Sequence, residues 1–331
     1  MDPRPKNRRA SEGEIRQLTQ KAAALFAAVI ILLFLLFVPT APEKMRSAVN
    51  SIAFGASAIA NSPSPTKDPT VFIRLADVDE DVSPEVIIKL MRLSDEGERI
   101  TLTGDGPKVL VYHTHDTEAY RQTAESTYAP CGDFRTEEAD KSVMAVGEEL
   151  CRILREEYGI YAIHAEERHE KPLITSAYSR SLATALYYKE RYPTLEMFID
   201  LHRDGVDKTG YENDFVIVDG LECARMMFVV GTGKSGKSSQ YAPEPTGGAE
   251  LLTPDFESNY ALALRLTSEL LSYNDRFMRN VRVKSGKYNQ QISSECMLIE
   301  VGHNGNTLEQ AMNSMKYLAR AIASLAEDNG E

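Results

Sequence analysis

Lys108-Val109-Leu110-Val111-Tyr112-His113-Thr114-His115-Asp116-Thr117-Glu118 joins an unbroken apolar run to a burst of ionisable side chains. Such a run reads as a strand buried on both faces, the condition of a parallel sheet covered by helices. The pattern recurs twice, in Met197-Phe198-Ile199-Asp200-Leu201-His202-Arg203-Asp204 and in Cys296-Met297-Leu298-Ile299-Glu300-Val301-Gly302-His303. In an open α/β sheet the carboxyl ends of neighbouring strands share one crevice, so side chains remote in sequence converge there.

Helical patterns alternate with these runs. Val143, Val146, Leu150, Ile153 and Leu154 fall at helical spacing and stop near Gly159, and a strand Ile160 to His164 follows. A helix is expected over 179–191, strands over 214–219 and 226–230, a long helix over 258–271 and a closing helix over 308–325. The alternation predicts an α/β fold, a three-layer sandwich with a mostly parallel central sheet over residues 106–331.

The preceding part of the chain reads differently. Ala22 to Val38 is free of charge and close to the ~17–25 residues needed to cross a bilayer, so residues 22–41 are expected to form one transmembrane anchor. Arg4, Lys6, Arg8, Arg9, Arg16 and Lys21 precede it, which places residues 1–21 in the cytoplasm and the remainder outside the membrane. A cleaved signal peptide shares the basic start and apolar core, but its core is shorter and ends in a small-residue cleavage site. Residues 42–70 hold Pro42, Pro63, Pro65 and Pro69 among small polar residues and read as a flexible stalk. Residues 71–105 form a lead-in, with a strand-like run at 71–75 and a helix around 84–92.

Asp and Glu number 49 against 37 Lys and Arg, a net charge of −12, which excludes a nucleic-acid partner because that binding rests on a basic surface. Cys131, Cys151, Cys223 and Cys296 are scattered without a Cys-x-x-Cys pair and read as unpaired, mostly buried thiols rather than a zinc ribbon or disulfide scaffold, with a disulfide left open by the compartment outside the membrane. Gly231-Thr232-Gly233-Lys234-Ser235-Gly236-Lys237-Ser238 matches the phosphate-loop pattern, but Pro243 and Pro245 follow where the motif requires a helix N-terminus. The nucleotide reading falls away. The stretch reads as a basic rim of the groove.

The strand ends suggest metal chemistry. A hydrolytic zinc site uses three nitrogen or oxygen ligands with one open position. His115 and Glu118, three residues apart on a turn, supply two ligands, and His202 supplies the third. His113 is the rival nitrogen, and Glu138 or Asp140 the rival carboxylate. Asp200 or Asp204 is placed to orient a ligand through its free ring nitrogen. Glu300 is then positioned as general base and acid for amide cleavage. Arg203, Arg180, Tyr288, Asn289 and Gln290 are candidates for holding substrate, since arginine binds carboxylates through a planar fork.

These blocks carry a resemblance. Tyr112-His113-Thr114-His115-Asp116-Thr117-Glu118-Ala119-Tyr120, Tyr178-Ser179-Arg180-Ser181, Ile199-Asp200-Leu201-His202-Arg203-Asp204, Met227 to Thr232, Tyr288-Asn289-Gln290 and Glu300 to Glu309 together resemble the stage II sporulation protein P family. The resemblance implies a zinc-dependent N-acetylmuramoyl-L-alanine amidase that is also a peptidoglycan endopeptidase, acting as the mother-cell membrane engulfs the forespore. It implies a catalytic domain facing the space between the two cells and partnership with sporulation proteins D and M. A more distant similarity to zinc carboxypeptidases and amidohydrolases favours His115 over His113. His303 and Ala119 depart from the family pattern, where glycine and serine are usual. The alternatives are a wall-binding scaffold without catalysis, recruiting a glycan-cleaving partner, and an extracytoplasmic zinc peptidase.

Overall fold

Val109–Tyr112 folds as β1 with all four residues buried, as the unbroken apolar run requires. The structure, a computed structural model, describes residues 100–206, 214–235 and 255–326. The chain divides into two units, residues 1–68 and 69–331. The expected anchor at 22–41, the stalk at 42–70 and the lead-in elements at 71–75 and 84–92 lie outside the described residues, as do Gly236, Lys237 and Ser238 of the phosphate-loop look-alike. Among the described residues no helix is long and apolar enough to cross a membrane.

After β1 come the short hairpin β2 (Pro130–Gly132) and β3 (Arg135–Thr136), α1 (Val143–Tyr158), β4 (Ala162–His164), α2 (Ala177–Arg191) and β5 (Met197–Asp204). Then follow β6 (Phe215–Val218), β7 (Leu221–Ala224), β8 (Met226–Gly231), α3 (Phe256–Tyr273), β9 (Arg282–Lys284), β10 (Cys296–His303) and α4 (Leu308–Ser324). The central sheet has the order β4-β1-β5-β10-β8-β9. Every pairing in it is parallel except that of β8 with β10. The mostly parallel sheet expected from the apolar runs is thus present, with β8 and β9 running against the rest.

One expected strand lies elsewhere. Residues 214–219 belong to β6, which pairs with β7 as a separate hairpin around Asp219-Gly220, both at positive φ. A two-residue turn of this kind matches the twist of its strands and needs no partner from the main sheet.

Alternation along the strands separates two helix layers. Val109, Val111, Ile199, Leu201, Ile299 and Val301 face the core shared with Leu150, Leu154, Leu266 and Leu318 of α1, α3 and α4. Leu110, Tyr112 and Phe198 face the opposite side, where Leu182, Ala185 and Tyr188 of α2 cover them. Local chemistry fixes the helix ends. The Ser142 hydroxyl accepts from the Met144 N–H and Gly159 closes α1 in the left-handed conformation, while Thr307 and Gln310 form a capping box at α4. Ile100 and Leu102 join the main core, and the Ile100 N–H donates to the Leu325 carbonyl at 3.0 Å.

The sheet order puts β1, β5 and β10 side by side, which is what assembles the site. Registers align Tyr112 with Asp200 and His202 with Glu300.

Candidate active site

β1 ends at Tyr112 and the chain turns at once, with the Glu118 N–H donating to the His115 carbonyl at 3.3 Å. His115 and Glu118 therefore project from one tight turn at the carboxyl end of β1. The His115 ring lies edge to face with that of His202 on β5, centroids 5.4 Å apart. Glu118 Oε2 stands 3.6 Å from His202 Nδ1 and accepts the Arg203 N–H at 3.0 Å. His202 Nε2 is 2.8 Å from Asp200 Oδ1, while Asp200 also accepts the Thr114 N–H and hydroxyl. Glu300 lies opposite His202 in the register of β10 with β5. The four groups expected from three separate strand ends are neighbours.

The electrostatics follow from burial. Burial alone would lower the His202 imidazole, but the charges of Asp200 and Glu118 outweigh it and hold the ring well above its ordinary value. Burial would raise Glu118, yet the close His202 ring and the charges of Arg203, His202 and His115 keep it well below the ordinary carboxylate range. Glu300 goes the other way. Burial, reinforced by Asp204 and Glu118 and opposed by His202, pushes its carboxyl up to about 8.

The rival ligands stand apart from this cluster. His113 turns to the α1 side, its Nδ1 2.8 Å from the Leu201 carbonyl and its Nε2 2.9 Å from His164 Nε2, and burial pushes it down to about 3. Two residues before His115, it shared that side chain's expected direction only in an extended strand; the turn after Tyr112 separates the two. Glu138 is exposed and accepts the Ala129 N–H at 2.7 Å, and Asp140 is exposed next to Lys141. Of the two candidate orienting carboxylates, Asp200 meets His202 and Asp204 pairs with Arg279 at 2.7 Å.

The expected substrate-holding residues make contacts within the framework. The Arg203 guanidinium donates to the carbonyls of Ala119, Phe134 and Asp204. Arg180 binds the carbonyls of His169 and Leu173 and the Ser176 hydroxyl. Asn289 donates to the Tyr178 carbonyl and Ser181 hydroxyl, and Gln290 bridges the Val229 carbonyl and Gly231 N–H. Tyr288 is buried against Tyr178. Loops that cross strand ends leave backbone carbonyls to be satisfied, and these side chains satisfy them. His303 is buried too, between Asp214 and the Gly305 N–H.

Three residues at the site carried no sequence signal strong enough to find. Glu170, from the loop before α2, reaches His115 Nδ1 at 2.8 Å; Arg135, from the β2–β3 hairpin, contacts both Glu170 and Glu118; the Tyr178 ring stands edge to face with His115 at 5.8 Å. None lies in a strand-end pattern. Tyr178 sat in a matching block, and nothing in that block pointed to its ring.

Among the described residues no set of three or more His, Cys, Asp and Glu side chains is drawn up in metal-holding geometry. The donor types nevertheless fit a zinc ion, and one buried atom in the cluster, Glu300 Oε2, has no hydrogen-bond partner. A buried carboxylate oxygen left in this way beside two imidazoles and a second carboxylate suits a cation or a substrate.

The family model for stage II sporulation protein P matches residues 58–323, a span that includes every group of this cluster. The chain belongs to the stage II sporulation protein P family. The stage II sporulation protein P of Bacillus subtilis (strain 168) is 25% identical over 241 residues, covering 68% of this chain and 53% of that protein. The chain thus spans about half the length of the curated family member it matches. Among solved structures, the N-acetylmuramoyl-L-alanine amidase of Clostridium difficile 630 is 11% identical, covering 67% of this chain and 95% of that one, at a TM-score of 0.34. The CwlD amidase of Clostridioides difficile, solved with the GerS lipoprotein, is 15% identical, with 65% and 94% covered and a TM-score of 0.36. The amidase Ami1 of Mycobacterium smegmatis is 11% identical, with 68% and 98% covered, also at 0.36.

Proposed function

We propose that this chain is a zinc-dependent amide hydrolase of peptidoglycan acting in sporulation, an N-acetylmuramoyl-L-alanine amidase with endopeptidase activity. The observation that carries the reading is the meeting of His115, Glu118, His202 and Glu300 at the ends of three adjacent strands, in a chain of this family. His115, Glu118 and His202 would hold the ion, which supplies Lewis acidity to polarise the scissile carbonyl and acidify water. Glu300 takes a proton from the attacking water and returns it to the departing amine. Its carboxyl, raised to about 8 by burial, is matched to exchanging a proton near neutral pH. Asp200 orients His202, and Arg203 locks the Glu118 segment through the Ala119 carbonyl. The apolar stretch at 22–38 supports a single-pass anchor with the hydrolase outside the cytoplasm, facing the space between mother cell and forespore. Sporulation proteins D and M are the proposed partners there.

The test is mass spectrometry of muropeptides after the purified chain meets peptidoglycan, with and without a chelator, beside Glu300→Gln. Release of stem peptide that stops with the chelator and falls at least 10²-fold in the variant is expected. Undiminished release by Glu300→Gln removes the base, and release indifferent to chelation removes the metal. A second reading, a wall-binding scaffold without catalysis, draws on the close pairing of His202 with Asp200 and Glu118 in place of an open ligand set. Binding to peptidoglycan without any release would favour it.

A further inference from the structure

We infer that Glu170 is the positioning residue for His115: its carboxylate fixes the ring tautomer and aims Nε2 at the ion. The inference rests on the metal-site reading above and adds a residue to it. Glu170 Oε1 is 2.8 Å from His115 Nδ1, so a carboxylate that can only accept requires the proton on Nδ1 and leaves the Nε2 lone pair for a ligand bond.

The segment around Glu170 is built to keep it there. Its Oε2 accepts from the Thr117 N–H at 3.3 Å and from the Thr117 hydroxyl, and its Oε1 also accepts from Arg135. In return, Asp116 Oδ1 accepts the N–H groups of His169 and Glu170 at 2.7 and 3.0 Å. The turn bearing His115 and Glu118 and the loop bearing Glu170 therefore hold each other through two carboxylates, one contributed by each side. Arg180 secures the far side of that loop by binding the carbonyls of His169 and Leu173. Arg135 adds a second link, because it stands 3.7 Å from Glu118 as well. A carboxylate with this many fixed donors has little freedom to swing away. Asp200 sits in the matching place beside His202, so each ring has one nitrogen against an acid.

Three measurements on the full 331-residue chain decide it. Long-range proton–nitrogen spectra of the metal-stripped protein should report the His115 imidazole as the Nδ1–H tautomer in the native chain. In Glu170→Gln it should become a mixture, while His169 and His113 stay unchanged. Zinc titration by calorimetry should show affinity reduced about 10–100-fold in Glu170→Gln at unchanged stoichiometry. Cobalt substitution should give the same absorption envelope in both, since no ligand has been exchanged. Glu170→Asp, which keeps the charge but shortens the arm, should fall between them and keeps the test open if the glutamine variant does not fold.

Unchanged tautomer and unchanged zinc affinity overturn the proposal. So does a cobalt spectrum altered as in Glu118→Gln, which would make Glu170 a ligand itself. A native chain that takes up no zinc sinks the metal-site reading instead, and the tautomer spectra of the metal-stripped chain still decide the role of Glu170.

Discussion

Glu300 is half-buried, with one carboxyl oxygen, Oε2, fully enclosed and lacking any hydrogen-bond partner, and its carboxyl is held at about 8 by its surroundings. Its unfolded value is near the ordinary ~4.3 of glutamate, so between those limits folding must take up a proton, and its burial weakens the fold increasingly as pH rises. In metal-free protein, Glu300→Gln should therefore raise the thermal midpoint, with little gain at pH 5 and on the order of 2–4 kcal/mol at pH 8. Scans of both proteins at the two pH values check this; an equal gain at both would show that the carboxyl is not the source. The same variant is expected to lose hydrolysis, an outcome that would set the proposed chemistry of this carboxyl against the interest of the fold. The residue itself was legible from sequence, since a glutamate closing the apolar run Cys296 to Ile299 has no packing reason to be there. Glu170 was not, because its value depends on a loop brought to His115 from 55 positions away.

At the scale of the element, β10 has to change direction just after Glu300. Its register with β5 shifts between Glu300 and His303, and Gly302 sits at φ +67° within that irregularity. An added Cβ there would stand 2.6 Å from Asn306 Oδ1 and 2.9 Å from the Ala224 Cβ, in a conformation that L side chains resist. Gly302→Ala is expected to cost about 1–3 kcal/mol and to lower hydrolysis more than it lowers zinc affinity, because it displaces Glu300 and leaves β1 and β5 alone. Thermal melts with zinc titration and muropeptide release separate the two effects. A variant as stable and active as the native chain would mean that the bulge does not aim the base. Strand and helix existence followed from apolar periodicity, as with Val143 to Leu154 in α1. Where each strand pairs did not: the run at 214–219 reads like a sheet strand but closes on Leu221–Ala224 through Asp219-Gly220.

Over the whole molecule, two sets of titrating groups set opposite limits on stability. Glu118, Glu170, Asp200 and Asp214 are all held below the ordinary carboxylate range by hydrogen bonds and charges that outweigh burial. A depressed carboxylate contributes stability that is present above its unfolded value of about 4 and lost as pH falls toward the folded one. His202, raised by Asp200 and Glu118, contributes stability present below its unfolded value of about 6.5 and lost as pH rises, and Glu300 adds to that alkaline loss. The metal-free chain should thus be most stable near pH 5 to 6, with midpoints falling on both sides. Zinc at 100 times its dissociation constant should add about 2.7 kcal/mol at neutral pH, which is roughly 5–11 °C for a domain of this size. Melts from pH 3 to 9, with and without zinc, test both statements; a flat profile, or no shift with zinc, counts against the ligand set. The sequence by itself determined the layered α/β character, the strand ends that carry chemistry and the family, because buried parallel strands write themselves as short apolar runs and ionisable groups at their ends stand out. Only the tertiary structure decided that His115 rather than His113 meets His202, that Arg203 and Arg180 serve backbone carbonyls, and that Glu170 completes the cluster. Those outcomes depend on how the chain turns after Tyr112 and on which distant loop arrives there, and contacts across such separations leave no periodic trace in the residues that make them.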